Sequence, residues 1–307
     1  MHKDINFDFR CAADRKSIIL LSGRSELKMG NKVLKNRILV WNDEFDGNKL
    51  DETKWGFRDY FWGKRSPTFT HEGVYVDGES NLHIDMVKKG DDYFSAQLQT
   101  GSLTFDGPKD DKGFWPFAKY EKPKFMHKFG YYECRCKIPK NDGWHAAFWL
   151  QAPGIGCHPD PKYGGVEVDI MESYRKPKEG NMICGCGWNG YGKDSTWYGH
   201  AAFPYVETSD GWHTYVVDWS EEGYVFYADG NVVSRQMAPR CAVSHVDQFI
   251  LLTTECHGYN RIFGNESADA GLAGSADVWS GKPVEALEHA VLPDEFVVDY
   301  VRVFDRI

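Results

Sequence analysis

The sequence has no run of eighteen or more apolar residues, so no helix of membrane-spanning length is encoded. The stretch Ser17–Ser22 is too short for the hydrophobic centre of a signal peptide and follows acidic residues. No export signal is expected in the chain as it stands. That suits a cytoplasmic protein, or a secreted one whose leader has been removed. Excess positive charge is missing too. Lys and Arg number 36 against 45 Asp and Glu, a net charge of −9. A nucleic-acid binder needs a basic surface to displace phosphate counterions, so nucleic acid is not expected as a partner, and a strongly anionic polymer is disfavoured. No two cysteines stand at the CxxC spacing of many zinc and redox sites. The eight are Cys11, Cys134, Cys136, Cys157, Cys184, Cys186, Cys241 and Cys256. Two pairs are spaced i, i+2, which is one face of a strand. Zinc knuckles place a turn between their ligands, so these pairs are read as buried thiols, which suits a reducing compartment.

What is plentiful is glycine (31) and tryptophan (11), which together suggest many tight turns and many flat apolar surfaces. Most of the Trp residues belong to a core; the remainder are available to stack on the apolar faces of sugar rings. The most informative stretch is Gly164–Ser173, which packs Glu167, Asp169 and Glu172 into six residues with Val168, Ile170 and Met171 between them. β-Branched spacers fit a half-buried strand, on which Glu167 and Asp169 share a face. Strict alternation would bury Glu172 on the other face, at high cost for a carboxylate. One extra residue at Ile170–Met171, a β-bulge, would return it to the face of the other two. Three acids so close cannot all ionise freely, so one is expected to hold its proton more tightly. Such a group is what cleaves a glycosidic bond with retention: one carboxylate attacks the sugar and a protonated one serves the leaving oxygen, the two roughly 5–5.5 Å apart.

From Ile38 onward short strands alternate with turns, among them Gly73–Val76, Leu82–Val87, Phe94–Thr104, Met182–Trp188, Trp212–Trp219 and Phe249–Thr254. This spacing predicts a β-sandwich rather than βαβ units. Residues 1–37 read as an extension packed on one domain spanning 38–307. The stretch Ser17–Leu21 is an added strand within that extension, and the Ala/Gly/Ser-rich stretch 264–292 is a long loop walling the cleft. Thr253, Glu255 and His257 share a face. They either bond sugar hydroxyls from the cleft or mark the surface end of a strand.

The pattern Glu-x-Asp-x-x-Glu at 167–172, the opening segments Leu39–Gly47 and Leu50–Trp55, the strand Phe129–Pro139 and the closing strand Phe296–Phe304 resemble glycoside hydrolase family 16, in its β-bulge branch, in the family's order over residues 38–307. The resemblance implies a β-jelly-roll sandwich of two antiparallel sheets with a concave substrate cleft. It makes Glu167 the nucleophile, Glu172 the acid/base and Asp169 the helper between them. It places Trp149 on the cleft floor. Trp144, His145 and Trp188 are read as further substrate contacts, with Glu255 and His257. Two departures stand out. Glucan-cleaving relatives carry Trp-Pro where this chain has His145-Ala146, and relatives often carry His at the position of Gly187, near the acid/base. The counterpart of Asp299 often helps bind a structural calcium, and the alternative is a salt-bridged Asp at a sheet edge. No cofactor is expected for catalysis. The expected protein is a monomeric, endo-acting retaining hydrolase of β-1,3- or mixed-linkage glucan. Galactans of the agar or porphyran type and host glycans stand second. A transglycosylase using the same acids and a lectin-like module that lost the chemistry are further readings.

Overall fold

Alternating apolar residues drive the chain into strands that bury one face each. The computed structural model describes residues 36–61, 64–65, 68–102, 122–173, 182–190, 195–257 and 283–307. The predicted strand at Ser17–Leu21, the extension up to residue 35 and residues 264–282 of the expected loop lie outside them. The first strands are β1 (Arg37–Asp43), β2 (Gly56–Phe57), β3 (Tyr60–Phe61), β4 (Lys64–Arg65), β5 (Val74–Val76), β6 (Leu82–Asp85), β7 (Val87–Lys89), β8 (Asp92–Phe94) and β9 (Gln97–Gln99). Then come β10 (Gly130–Lys137), β11 (Trp144–Gln151), a single helical turn α1 (Pro161–Gly164), β12 (Val166–Ser173), β13 (Met182–Trp188) and β14 (Thr196–Phe203). The chain closes with β15 (His213–Ser220), β16 (Gly223–Ala228), β17 (Asn231–Met237), β18 (Phe249–Cys256), the turn α2 (Glu285–Glu288) and β19 (Glu295–Arg306).

These strands build two antiparallel sheets. One runs β17-β16-β15-β10-β19-β6-β5, with β1 on β19; the other runs β14-β13-β12-β11-β18-β9-β2. This is the β-jelly-roll sandwich expected from the sequence. The core lies between the sheets, where Tyr132, Cys134 and Cys136 of β10 meet Phe148 and Leu150 of β11 and Val166, Val168, Ile170 and Met171 of β12. Cys134, Cys136, Cys184 and Cys186 are buried thiols within it, as their spacing predicts.

Two carboxylates tie distant segments of the described chain together. Arg302 of β19, nearly fully buried, grips Glu44 with two bonds, Nε to Oε1 at 2.8 Å and Nη2 to Oε2 at 2.6 Å, the strongest arrangement open to this pair. Asp294 accepts bonds from the Lys140 and Asn141 amides and from Trp144 Nε1, fixing the entry to β11. The opening and closing segments are thus one brace, and β1 starts at Arg37, paired with Arg306.

Candidate active site

The three acids lie on the outer face of the seven-stranded sheet. In the pairing of β11 with β12, Phe148 faces Met171 and Trp149 faces Asp169, which leaves Ile170 as the extra residue. Both Ile170 and Met171 point into the core. On the other side the register jumps from Asp169–Gly185 to Glu172–Ile183. The bulge therefore falls where the sequence pattern requires it, and Glu172 joins Glu167 and Asp169. Entry to β12 depends on Gly165, at φ 88°, where a β-carbon would come within 2.0 Å of Ala152 Cβ. Only glycine lets the acidic strand start this close to the end of β11.

Each acid has a distinct setting. Glu167 is 8% exposed and accepts a bond from Gln151 Nε2 at 3.1 Å, which orients its carboxylate. Asp169 is buried between the two glutamates. Burial first, then the charges of Glu172 and Glu167, hold its carboxyl well above the ordinary carboxylate range. A carboxyl that binds its proton more tightly folded than unfolded costs stability as pH rises above the unfolded value. Asp169→Asn is therefore expected to raise the melting temperature at about pH 7 and leave it unchanged at about pH 3, where both states are protonated. The same change should slow turnover, and melting curves at the two pH values check the sign. Glu172 is more open, and His145 Nε2 stands 3.1 Å from its Oε1.

Trp149 is the floor of this surface. Its Nε1 donates to Thr253 Oγ1 at 2.9 Å, and the Arg58 guanidinium lies 5.5 Å from its ring. Glu255 pairs across the sheet with His145, and the His145 and His257 rings are 6.1 Å apart. Glu255 and His257 thus lie beside His145 at the end of β18.

Three expectations need correction. Trp144 is fully buried, with Met86, Tyr93, Cys256 and Leu287, because it stands an odd number of residues before Trp149 and so faces the interior. Trp188 shares the face of Cys184 and Cys186 and packs, half-buried, against the inter-sheet core. Asp299 does not fit calcium. Arg135 Nη1 donates to its Oδ2 and itself lies 4.5 Å from the Trp212 ring, so a guanidinium stands where oxygen donors and an ion would be needed. Among the described residues, the one gathering of three metal-capable side chains is His83, Asp85 and Glu295, on the other sheet.

Two cleft residues were missed from the sequence. Arg58 sits in the short connection after β2, with nothing local to mark it. Trp197 of β14 lies in one cross-strand row with Gly187 and Glu167. Its indole covers Gly187 so closely that a β-carbon there would be 2.5 Å from Cζ3, yet the residue is 38% exposed. The signal available was Gly187 itself. The position lies beside Glu167, not beside Glu172, and its missing side chain makes room for an aromatic ring.

A jelly-roll sandwich with three adjacent carboxylates on its outer sheet face is the build of a β-sandwich glycoside hydrolase. The model of the family "Glycosyl hydrolases family 16" matches residues 118–244, the stretch that carries the three acids. A glucan endo-1,3-beta-glucosidase A1 from Niallia circulans is 27% identical over 218 residues, 62% of this chain and 28% of that protein. The chain thus spans little more than a quarter of that relative's length. Beta-porphyranase B from Zobellia galactanivorans is 25% identical over 259 residues, 77% of this chain and 78% of that protein. The laminarinase catalytic domain from Thermotoga maritima shares the fold at a TM-score of 0.59 and 23% identity, covering 89% of this chain and all of that one.

Proposed function

We propose that the protein is an endo-acting, retaining glycoside hydrolase that cuts internal β-linkages of a polysaccharide, with β-1,3- or mixed-linkage glucan as the first substrate. The observation that carries this reading is the bulge that brings Glu167, Asp169 and Glu172 to one face. Glu167 attacks the anomeric carbon while Glu172 passes a proton to the departing oxygen; the glycosyl–Glu167 ester forms as the glycosidic bond breaks. Water then attacks the same carbon, gives its proton to Glu172 and frees Glu167. Asp169, protonated between them, limits the repulsion of two charged neighbours. Trp149 lies beneath the reacting sugar. Glucan is the first choice because endo-glucanases recur among the relatives by name. The sugar chain is bound by a single polypeptide, without a second subunit.

Arg58 favours one second reading, a β-galactan of the porphyran type. A neutral glucan does not call for this cation beside Trp149, whereas a substituted galactan offers it an anionic group, and the porphyranase relative matches this chain over most of both lengths. The experiment is a panel of laminarin, lichenan, agarose, porphyran, carrageenan and mucin glycans, with product sizes resolved. Internal cuts in laminarin or lichenan support the first reading, and cuts confined to porphyran replace it with the second. Binding without products across the panel would leave only a lectin-like module. Accumulation of longer chains instead of reducing ends would point to transglycosylation by the same acids.

Trp197 provides a stacking platform two strands away from Glu167. Trp197→Ala is expected to raise KM about tenfold with little change in kcat, the loss of one ring contact of about 1–2 kcal/mol. Initial rates on the polysaccharide that is cleaved read this out. An unchanged KM would remove Trp197 from the substrate path.

A further inference from the structure

His145 places a largely buried imidazole beside Glu172. It is carried on β11, whose register sets Ala147 opposite Glu172 and His145 opposite Glu255. The ring therefore stands between strands that each bring it a carboxylate. Glu172 of β12 lies on one side, with Nε2 and Oε1 3.1 Å apart. Glu255 of β18 lies on the other, with the His257 ring next to it. Farther along β12 on the same face are Asp169 and Glu167; Arg58 is displaced toward Trp149. Acidic groups thus dominate the surroundings of a ring whose side chain is only 15% exposed.

We propose that His145 is the proton partner of Glu172: the two side chains hold one proton between them, and His145 returns it to Glu172 as the glycosidic oxygen leaves. This rests on the reading of Glu172 as the acid/base. In the resting pair the proton resides on the imidazole and Glu172 is a carboxylate, or on Glu172 with the ring neutral. The two forms differ by one transfer along the 3.1 Å contact. When the glycosidic bond breaks, the pair's one proton, passed from Nε2 to Glu172, moves on to the departing oxygen as that oxygen takes the bond electrons, which leaves Glu172 a carboxylate and the ring neutral, ready to accept a proton from water. When water later attacks the ester, its proton enters the pair, restoring the starting state. Nothing is oxidised or reduced, and one proton leaves and one returns per cycle.

Burial alone would strip the proton from an imidazole. Here that effect is outweighed, first by the hydrogen bond and charge of Glu172 and then by Glu255 and Glu167, so the ring keeps its proton above the ordinary histidine range. The coupled pair therefore retains a transferable proton at pH values where a lone carboxylic acid would have lost it. His145 acts through Glu172 and is a positioning and proton-holding residue. Its effect must appear only where protonation of the leaving group matters.

The test compares the wild type with His145→Gln on the cleaved polysaccharide and on an aryl glycoside with a good leaving group. The alkaline limb of the polysaccharide profile is expected to move down by at least one pH unit, with the rate above it falling roughly tenfold per unit. The acid-side plateau should change by only a few-fold, and the aryl glycoside should be cleaved almost unchanged throughout. In a Glu172→Ala background, His145→Gln should add no further loss on polysaccharide, because the pair is already broken. A uniform drop on both substrates with an unmoved limb, or an additive loss in the double variant, would overturn the proposal and make His145 a structural or binding residue. If His145→Gln does not fold, the histidine titration is followed by NMR in the wild type and in Glu172→Gln. The His145 resonance should titrate at lower pH in the variant, and an unmoved titration overturns the coupling. If Glu172→Ala retains full activity on polysaccharide, the acid/base reading fails. If it loses activity and His145→Gln does not shift the limb, only the present inference fails.

Discussion

Glu167→Ala should abolish polysaccharide cleavage, lowering kcat by at least about 10⁴-fold. Its carboxylate is oriented by a neighbouring amide, Gln151 Nε2. Without it no glycosyl-enzyme can form, while Glu172 and Trp149 still hold the sugar. Azide or formate can then enter the vacated space and attack the anomeric carbon, restoring turnover of an activated glycoside. The product should have inverted configuration, because a single displacement has replaced two. The anomer formed, read by NMR, is the decisive measurement. Rescue to an inverted product in the Glu172 variant instead would exchange the two roles.

Glu172→Ala should be just as damaging on polysaccharide but selective in what it damages. Loss of the proton donor is expected to cost about 10²–10⁴-fold where the leaving group is a sugar hydroxyl, and little where it is a nitrophenolate that departs without help. Glu167 remains able to attack, so the ester accumulates on activated substrates when the base for the second step is missing. A burst of nitrophenol equal to the enzyme concentration, followed by slow turnover, checks this directly. A variant equally impaired on both substrates would show that Glu172 does more than transfer a proton.

The part of this site that was legible in the sequence is the part governed by local rules. A carboxylate five positions after another, in a strand with apolar spacers, must either be buried at high cost or be carried back by an extra residue. Ile170 bears this out by standing unpaired against β11. The same parity, applied to Trp144 and Trp149, sends Trp144 to the interior, and its Nε1 bond to Asp294 shows what the interior position is for. Trp188 is a core residue by the same rule, since it continues the core face of Cys184 and Cys186. The partners of His145, Asp299 and Trp197 depend on which strands lie side by side and in what register. His145 meets Glu172 across β11 and β12, Arg135 meets Asp299 across β10 and β19, and Trp197 covers Gly187 across β13 and β14. Nothing in the local sequence of any one of these residues contains its neighbour. The long-range braces, Glu44 with Arg302 and Asp294 with Asn141, were likewise visible only once the chain ends met.

The unpaired residue in β12 also means that the chemistry tolerates one change of strand length. Deleting Ile170 would keep every acid in the chain and would remove only a core side chain. The strand would then run regularly, and Glu172, four positions after Glu167 instead of five, would stay on its face and opposite Ala147, with Met171 opposite Phe148. Glu167 and Asp169 would keep their places against Gln151 and Trp149, and the sugar-contacting surface built from Trp149 and Trp197 would be untouched. A bulged strand and a regular strand one residue shorter thus present the same three carboxylates, and what the extra residue changes is the packing behind them, where Ile170 fills the core.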